Sequence, residues 1–368
     1  MVKAVSTMLN KLIISVECQE TPLDGGTIGD VRLISGIAIT DTNEKIPFQM
    51  VYKTHEKFER AGDPDSWRRE YDLFISGMDK SFTNTFRWPK CYHAEINDKN
   101  LEIWMEYIDA PSGFDLNVDM LEKAALEIGR WQGKIFSEPA LSKKIHQIKN
   151  LGDPGFLQRH FNQFHTQTMT YDFIISDDCG LPEPMNQYYL KNKDLINHNK
   201  SIEYNILRSE ICTLPQHLKQ MLFDIDERQN EIFDKFKHLP IVLCQRDFWI
   251  ENIFYYKGNI IAIDWDTAGW GYLGEDIAQL IFDDINTEYF SEYIEKLIPA
   301  YFKGFTEFAN ITEIDIQNSK ASIIDFILIL FGYRKAEKHM FTECAEEKVQ
   351  AEKELQMVYD LKMNSLVK

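Results

Sequence analysis

The chain lacks an apolar run of the ~20 residues that a membrane span requires. Its longest lies within Ile323–Tyr333 (IIDFILILFGY) and is interrupted by Asp325, which reads as a buried helix with no membrane partner. The opening stretch MVKAVSTMLNKLIISVE has no apolar core followed by a small-residue cleavage site, so a cytoplasmic location is expected. Cysteine is sparse. Cys18, Cys91, Cys179, Cys212, Cys244 and Cys344 lie far apart with no CxxC pair, as expected of reduced, mostly buried thiols. No zinc site is expected, since no closely spaced cysteine pair accompanies the histidines. Positive charge is also short, with 40 Lys+Arg against 58 Asp+Glu and a net charge of −18. A nucleic-acid surface needs clustered cations, so no nucleic-acid partner is expected. A nucleotide site, needing only a few cations, stays open. The 368 residues are 44% apolar and 13% aromatic, which excludes a disordered chain and suits two compact units or one large bilobal one.

The first hundred residues carry short β-like runs, LIISVE, VRLISGIAIT and IPFQMVYKT, punctuated by DGGTIGD and TDTNEK. A helix is predicted next, with Asp63 as N-cap, Pro64 at the first helical position, and Trp67, Tyr71 and Phe74 on one face. Two further strands are expected around Pro89–Glu95 and Leu101–Tyr107. Beyond Ile108–Pro111 the texture turns helical, beginning with the amphipathic Met120–Phe136. Residues 1–108 hold 13 basic and 17 acidic residues, net −4, and residues 109–368 hold 27 and 41, net −14. The expected architecture is α+β and bilobal: a small β-rich lobe with one main helix, 1–108, and a larger, mostly helical lobe, 109–368.

One segment of the second lobe breaks the helical texture: IVLCQRDFWIENIFYYKGNIIAIDWDTAGWGYLGEDIAQL, residues 241–280. Ile253–Tyr256 and Asn259–Ile263 flank Lys257-Gly258, the pattern of a tight hairpin. A hairpin returns the chain to its origin, so Asn252 before the first strand and Asp264 after the second meet at one end. Asp247 sits in the loop leading in. Magnesium-phosphate chemistry needs hard oxygen ligands and an aspartate able to accept a hydroxyl proton. Polar capping would explain any one of these residues alone, but not the three in this order and spacing.

D-x(4)-N, a hairpin and then I-D-W-D resemble the aminoglycoside phosphotransferase and choline kinase superfamily, small-molecule kinases with a protein-kinase-like fold. Gln245–Asn252 matches its H-x-D-x(4)-N catalytic loop except at Gln245, where histidine is usual. The resemblance implies that Asp247 is the catalytic base and that Asn252 and Asp264 hold Mg2+, with Asp266 assisting. Asp276, in a D-[IL]-A-like element, would be structural. The usual histidine is a scaffold residue, and glutamine donates and accepts the same kinds of bond.

By the same resemblance, Lys53 in Met50–Thr54 is the phosphate-binding lysine and Glu70 its partner. A solvent-facing strand lysine and an exposed helix carboxylate are the plainer alternatives. Gly25, Gly26 and Thr27 would bring backbone N–H groups to phosphates, although an ordinary hairpin turn accounts for them nearly as well. The connector Met105–Asp109, with Glu106 and Ile108, falls where the superfamily binds the base by its backbone. The expected donor is ATP, with GTP not excluded, together with Mg2+. The acceptor is a small-molecule hydroxyl compound of aminoglycoside, amino-alcohol or sugar-like type; the acidic second lobe suits a cationic one. Residues 154–175 and 323–341 are expected to shape its pocket. His160, His165 and His339 read as ordinary helix residues, and Trp249, Trp265, Trp270 and Tyr272 as core. A monomer or homodimer is expected. A catalytically weak, pseudokinase-like binding module is the alternative, favoured only by Gln245.

Overall fold

The computed structural model describes residues 1–23, 29–58, 63, 65–159, 161, 187, 190–191, 202–208 and 212–367. Gly25, Gly26, Thr27, Pro64, His160, His165 and most of 154–175 lie outside the described residues. The chain groups into two compact units. The first comprises Met1–Asp153, Val242–Trp270 and Glu292–Asn310; the second comprises Pro154–Ile241, Gly271–Ser291 and Ile311–Lys368.

The first unit is built on an antiparallel five-stranded sheet in the order β1-β2-β3-β6-β5: β1 (Ile13–Pro22), β2 (Asp30–Thr40), β3 (Lys45–Glu56), β5 (Cys91–Ile96) and β6 (Asn100–Glu106). Side chains alternate across a strand, so the sheet has two separately covered faces. Ile34, Ala38, Phe48, Met50 and Trp104 pack with Ala4 and Val5 of helix α1 (Val2–Leu9). Val51, Leu101, Ile103 and Met105 pack with Trp67, Tyr71 and Phe74 of helix α2 (Ser66–Ile75). Each fully buried side chain of this size is worth about 1.5–3 kcal/mol. Helix α1 was not expected from the sequence. The N-cap assignment at Asp63 is also corrected: α2 begins at Ser66, and the Asp63 carboxylate pairs with Arg69 instead.

A smaller sheet in the same unit orders β4 (Phe86–Arg87), β9 (Asn259–Ala262) and β8 (Ile253–Tyr256), with β4 parallel to β9 and β8 antiparallel to it. Helix α3 (Val118–Ser137) supplies Trp131 to an aromatic core with Phe82, Phe86, Trp88 and Trp265. Trp265 is fully buried, its ring 5.4 Å from Trp131 and 5.6 Å from Trp88. Trp270 stacks on His146 at 3.7 Å. These two tryptophans are core, as expected.

The second unit is helical, including Gln216–Glu227, Glu275–Leu280, Glu313–Ile327, Tyr333–Phe341 and Ala345–Val367. Ile323–Tyr333 is buried as expected, but Leu328–Gly332 forms a π-helical turn inside it. His339 is an ordinary buried helix residue, bonded to the Thr213 hydroxyl and the Lys348 carbonyl. Of the five described cysteines, all free, Cys212 and Cys244 are buried, Cys91 is half-buried, and Cys18 and Cys344 are exposed, fewer buried than expected. No helix among the described residues is long and apolar enough to cross a membrane.

Candidate active site

The site is organised by the β8–β9 hairpin. Lys257 and Gly258 at its turn have φ of 52° and 84°, the left-handed pair that a two-residue turn needs to match strand twist. Ile253 lies opposite Ala262, and the Ile263 amide donates to the Asn252 carbonyl at 3.0 Å. Asn252 and the residues leading into Asp264 therefore meet at one end, as the sequence predicts. Asp264 itself has φ 56°, an uncommon conformation for a non-glycine residue, held by bonds around it.

Gln245 supplies the main tie. It is fully buried. Its side-chain oxygen accepts from the Asp247 amide at 2.6 Å, and its side-chain nitrogen donates to the carbonyls of Ile263 (2.9 Å) and Asp264 (2.7 Å). One amide group thus fixes the loop carrying Asp247 to the segment carrying Asp264. Asn252 continues the chain, donating from its side chain to the Asp247 carboxylate at 2.7 Å and to the Asp247 carbonyl at 3.0 Å. That donation fixes the direction of the Asp247 carboxylate.

Lys53 reaches the same place from β3. Its ammonium lies 2.7 Å from Asp264 Oδ1 and 2.9 Å from Glu70 Oε2. Neither plainer alternative holds, since Lys53 and Glu70 are both sequestered, with side chains 13% and 4% exposed. Burial pulls the Lys53 pKa down, but the carboxylates of Asp264, Glu70 and Asp266 outweigh it and hold the ammonium well above the usual lysine range. Burial also raises Glu70; Lys53 opposes that shift, while Asp264 and Asp266 add to it. Carboxylates flanking a buried ammonium offset the desolvation that an isolated charge would suffer.

No group of three or more His, Cys, Asp or Glu side chains among the described residues converges to hold a metal ion unaided. Magnesium does not require one, because it keeps waters and phosphate oxygens and takes only one or two protein carboxylates. Asn252 and Asp264 offer hard oxygens, and the Asp264 side chain is one-third exposed, so the donor set fits magnesium. Asp266 contributes charge to the cluster, and its carbonyl is bound by Arg69 at 2.6 Å.

A cavity of about 570 Å³ opens beside the connector, lined among others by Gly36, Gln49, Glu106, Tyr107, Ile108 and Tyr256. The expected connector residues Glu106 and Ile108 both contribute to its wall. The Glu106 carboxylate is already engaged by Arg87 (2.6 and 3.0 Å) and by the Lys90 amide (3.0 Å). Burial would raise its pKa, yet those bonds win and lower it. What Glu106 offers a ligand is its backbone and a rigid wall.

Arg246, next to Asp247, was not anticipated. It is buried, has φ 66°, and donates to the carbonyls of Asp153 (2.9 Å) and Trp270 (2.5 Å). Its guanidinium occupies the space that a Cβ on Gly152 or Gly269 would take, so both positions require glycine. A lone arginine beside the motif aspartate gives no sequence signal of such partners.

Residues 200–311 match the model of the phosphotransferase enzyme family, APH. No curated protein matches the sequence. Among solved structures, an amicoumacin kinase in complex with AMP-PNP and Ca2+ is similar at 13% identity and TM-score 0.53, covering 98% of this chain and 94% of that one. The choline kinase of Cryptosporidium parvum Iowa II is similar at 13% identity and TM-score 0.52, covering 95% and 90%. A microcompartment-associated aminopropanol kinase is similar at 10% identity and TM-score 0.53, covering 99% and 97%. The match to the phosphotransferase family thus lies within residues 200–311, and the chain as a whole has the α+β, protein-kinase-like fold of these solved structures, with a β-rich N-terminal sheet and a largely helical C-terminal part.

Proposed function

We propose that the protein transfers the γ-phosphoryl group of ATP, or GTP, to a hydroxyl of a small molecule in the presence of Mg2+. Residues 1–108 serve as the nucleotide-binding lobe and residues 109–368 as the catalytic and acceptor-binding lobe. The observation that carries this reading is the continuous set of bonds Asp264–Gln245–Asp247–Asn252, with Lys53 bound to Asp264 at its end.

Lys53 holds the donor phosphates through its ammonium, which Glu70 keeps charged and oriented. Asn252 and Asp264 would hold Mg2+, with Asp266 adding negative charge, and the ion would supply positive charge against the donor phosphates. Asp247 accepts the proton of the acceptor hydroxyl while that oxygen bonds phosphorus and the bond to the β-phosphate oxygen breaks, releasing the nucleoside diphosphate. Asn252, through its bond to the Asp247 carboxylate, aims the base. Gly25, Gly26 and Thr27, outside the described residues, are assigned to the donor phosphates from the sequence alone, and the connector at Glu106 and Ile108 receives the base.

The acceptor is read as a hydroxyl compound carrying a cation. The net charge of −18 favours one, and two of the similar structures are kinases named for choline and aminopropanol. The test is nucleotide consumption with ATP and GTP, with and without Mg2+, across amino-alcohols, aminoglycosides, choline and neutral sugars. Magnesium-dependent turnover on at least one cationic acceptor, absent in Asp264→Ala, is expected. Magnesium-dependent nucleotide binding without turnover on any acceptor would favour the pseudokinase-like module, and equal turnover on neutral sugars would remove the electrostatic argument.

A further inference from the structure

Helix α2 carries Glu70, the Lys53 partner, and immediately before it Arg69. Successive helix residues point about 100° apart, so the two side chains serve different neighbours. Arg69 is 1% exposed. Its two terminal nitrogens form a forked pair with Asp63, at 2.8 and 2.6 Å. One of them also donates to the Asp266 carbonyl at 2.6 Å, and Nε donates to the Asn150 carbonyl at 2.5 Å.

We propose that Arg69 is a positioning residue for the phosphoryl-transfer site, clamping the Asp264–Asp266 turn to α2 and so setting where the Asp264 carboxylate stands relative to the Lys53–Glu70 pair. The inference rests on the function proposed above. A guanidinium this deeply buried is tolerated only when paired, and Asp63 supplies that charge. The donors left over go to main-chain carbonyls, not to the carboxylates of the site. The clamp therefore fixes the turn without competing for the oxygens that would hold the metal. The turn needs such a restraint, because Asp264 sits in left-handed backbone at φ 56°. Gln245 grips it from the catalytic loop and Arg69 grips it from α2, so both partners of Lys53 are referenced to one helix. Lysine cannot replace this arrangement: an ammonium lacks the planar fork that serves Asp63 and two carbonyls together.

The test uses the full-length protein with Arg69→Lys, Asp63→Asn and Asp264→Ala. Two quantities are measured: hydrogen exchange of the 264–268 amides without ligand, and calorimetric affinity for AMP-PNP as a function of Mg2+. Arg69→Lys is expected to speed exchange at 264–268 while β8 and β9 keep wild-type protection. It should also weaken magnesium-dependent nucleotide binding by about 10-fold, the effect typical of losing a residue that orients a metal ligand, with magnesium-free binding unchanged. Asp63→Asn should act in the same direction to a smaller extent, and it alone decides the matter if Arg69→Lys does not fold. Wild-type exchange and wild-type magnesium dependence in these variants, or faster exchange spread evenly over the chain, would overturn the clamp. If Asp264→Ala leaves magnesium-dependent binding unchanged, the parent reading fails and the clamp falls with it. If Asp264→Ala weakens binding but Arg69→Lys does not, the clamp alone fails.

Discussion

Replacing Gln245 by alanine removes one bond accepted from the Asp247 amide and two donated to the Ile263 and Asp264 carbonyls, at a fully buried position. Each backbone group left unpaired costs about 1–3 kcal/mol. The vacated space is lined by polar groups, so water entry would recover part of that. The expected net loss is about 3–5 kcal/mol of unfolding free energy, a large fraction of a stability of about 5–15 kcal/mol. Loosening both loops by a fraction of an ångström should also lower kcat by about 100-fold. Gln245→His separates the two consequences. An imidazole can accept from the Asp247 amide and donate to one carbonyl, losing one bond, about 1 kcal/mol, with kcat within about 10-fold of wild type. Chemical denaturation and steady-state kinetics on the three proteins are the assay. An alanine variant within about 0.5 kcal/mol of wild type and with wild-type kcat would refute the argument.

Three further outcomes are expected. Lys53→Met should leave Glu70 buried without its cation and cost about 3 kcal/mol at pH 8; because burial raises the Glu70 carboxyl, the loss should shrink as pH falls, and a loss that does not change with pH would contradict the pairing. Gly152→Ala should force the Arg246 guanidinium out of place, costing about 1–3 kcal/mol and lowering turnover, which denaturation and kinetics would detect. Burial pushes the Asp283 carboxyl up to about 6, with Asp284 and Glu354 adding and Arg334 and Lys335 opposing. A raised folded-state value means stability that is fully present below 3.8 and lost as pH rises to about 6, so Asp283→Asn should raise the denaturation midpoint at pH 8 and change it little at pH 3.

The sheet, α2, α3 and the β8–β9 hairpin were legible because each announces itself locally. Val51, Lys53 and Met105 alternate on strands, Trp67, Tyr71 and Phe74 recur at helical spacing, and Lys257-Gly258 demands a tight turn. The meeting of Asp247, Asn252 and Asp264 followed from hairpin geometry, a short-range rule. What stayed hidden depends on partners far away in sequence. Arg69 finds Asp266 almost two hundred positions on, and Arg246 needs the empty space above Gly152 and Gly269. Asp63 resembled an N-cap because a short acid before a helix usually is one, whereas here a buried guanidinium outbids the helix amides for it. Helix α1 is only eight residues long, and its apolar positions acquire meaning only against the sheet face of Ile34 and Met50. The Glu106 carboxylate gave no sign that Arg87 and the Lys90 amide engage it.

The most direct measurement on the central claim is Asp247→Asn, compared with wild type for AMP-PNP·Mg2+ affinity and for turnover on an active acceptor. The substitution keeps the size and shape of the carboxylate and removes its ability to take a proton. Turnover lower by about 10²–10⁴-fold with nucleotide affinity essentially unchanged is the predicted result. Turnover near that of wild type would contradict the assignment of Asp247 as the base.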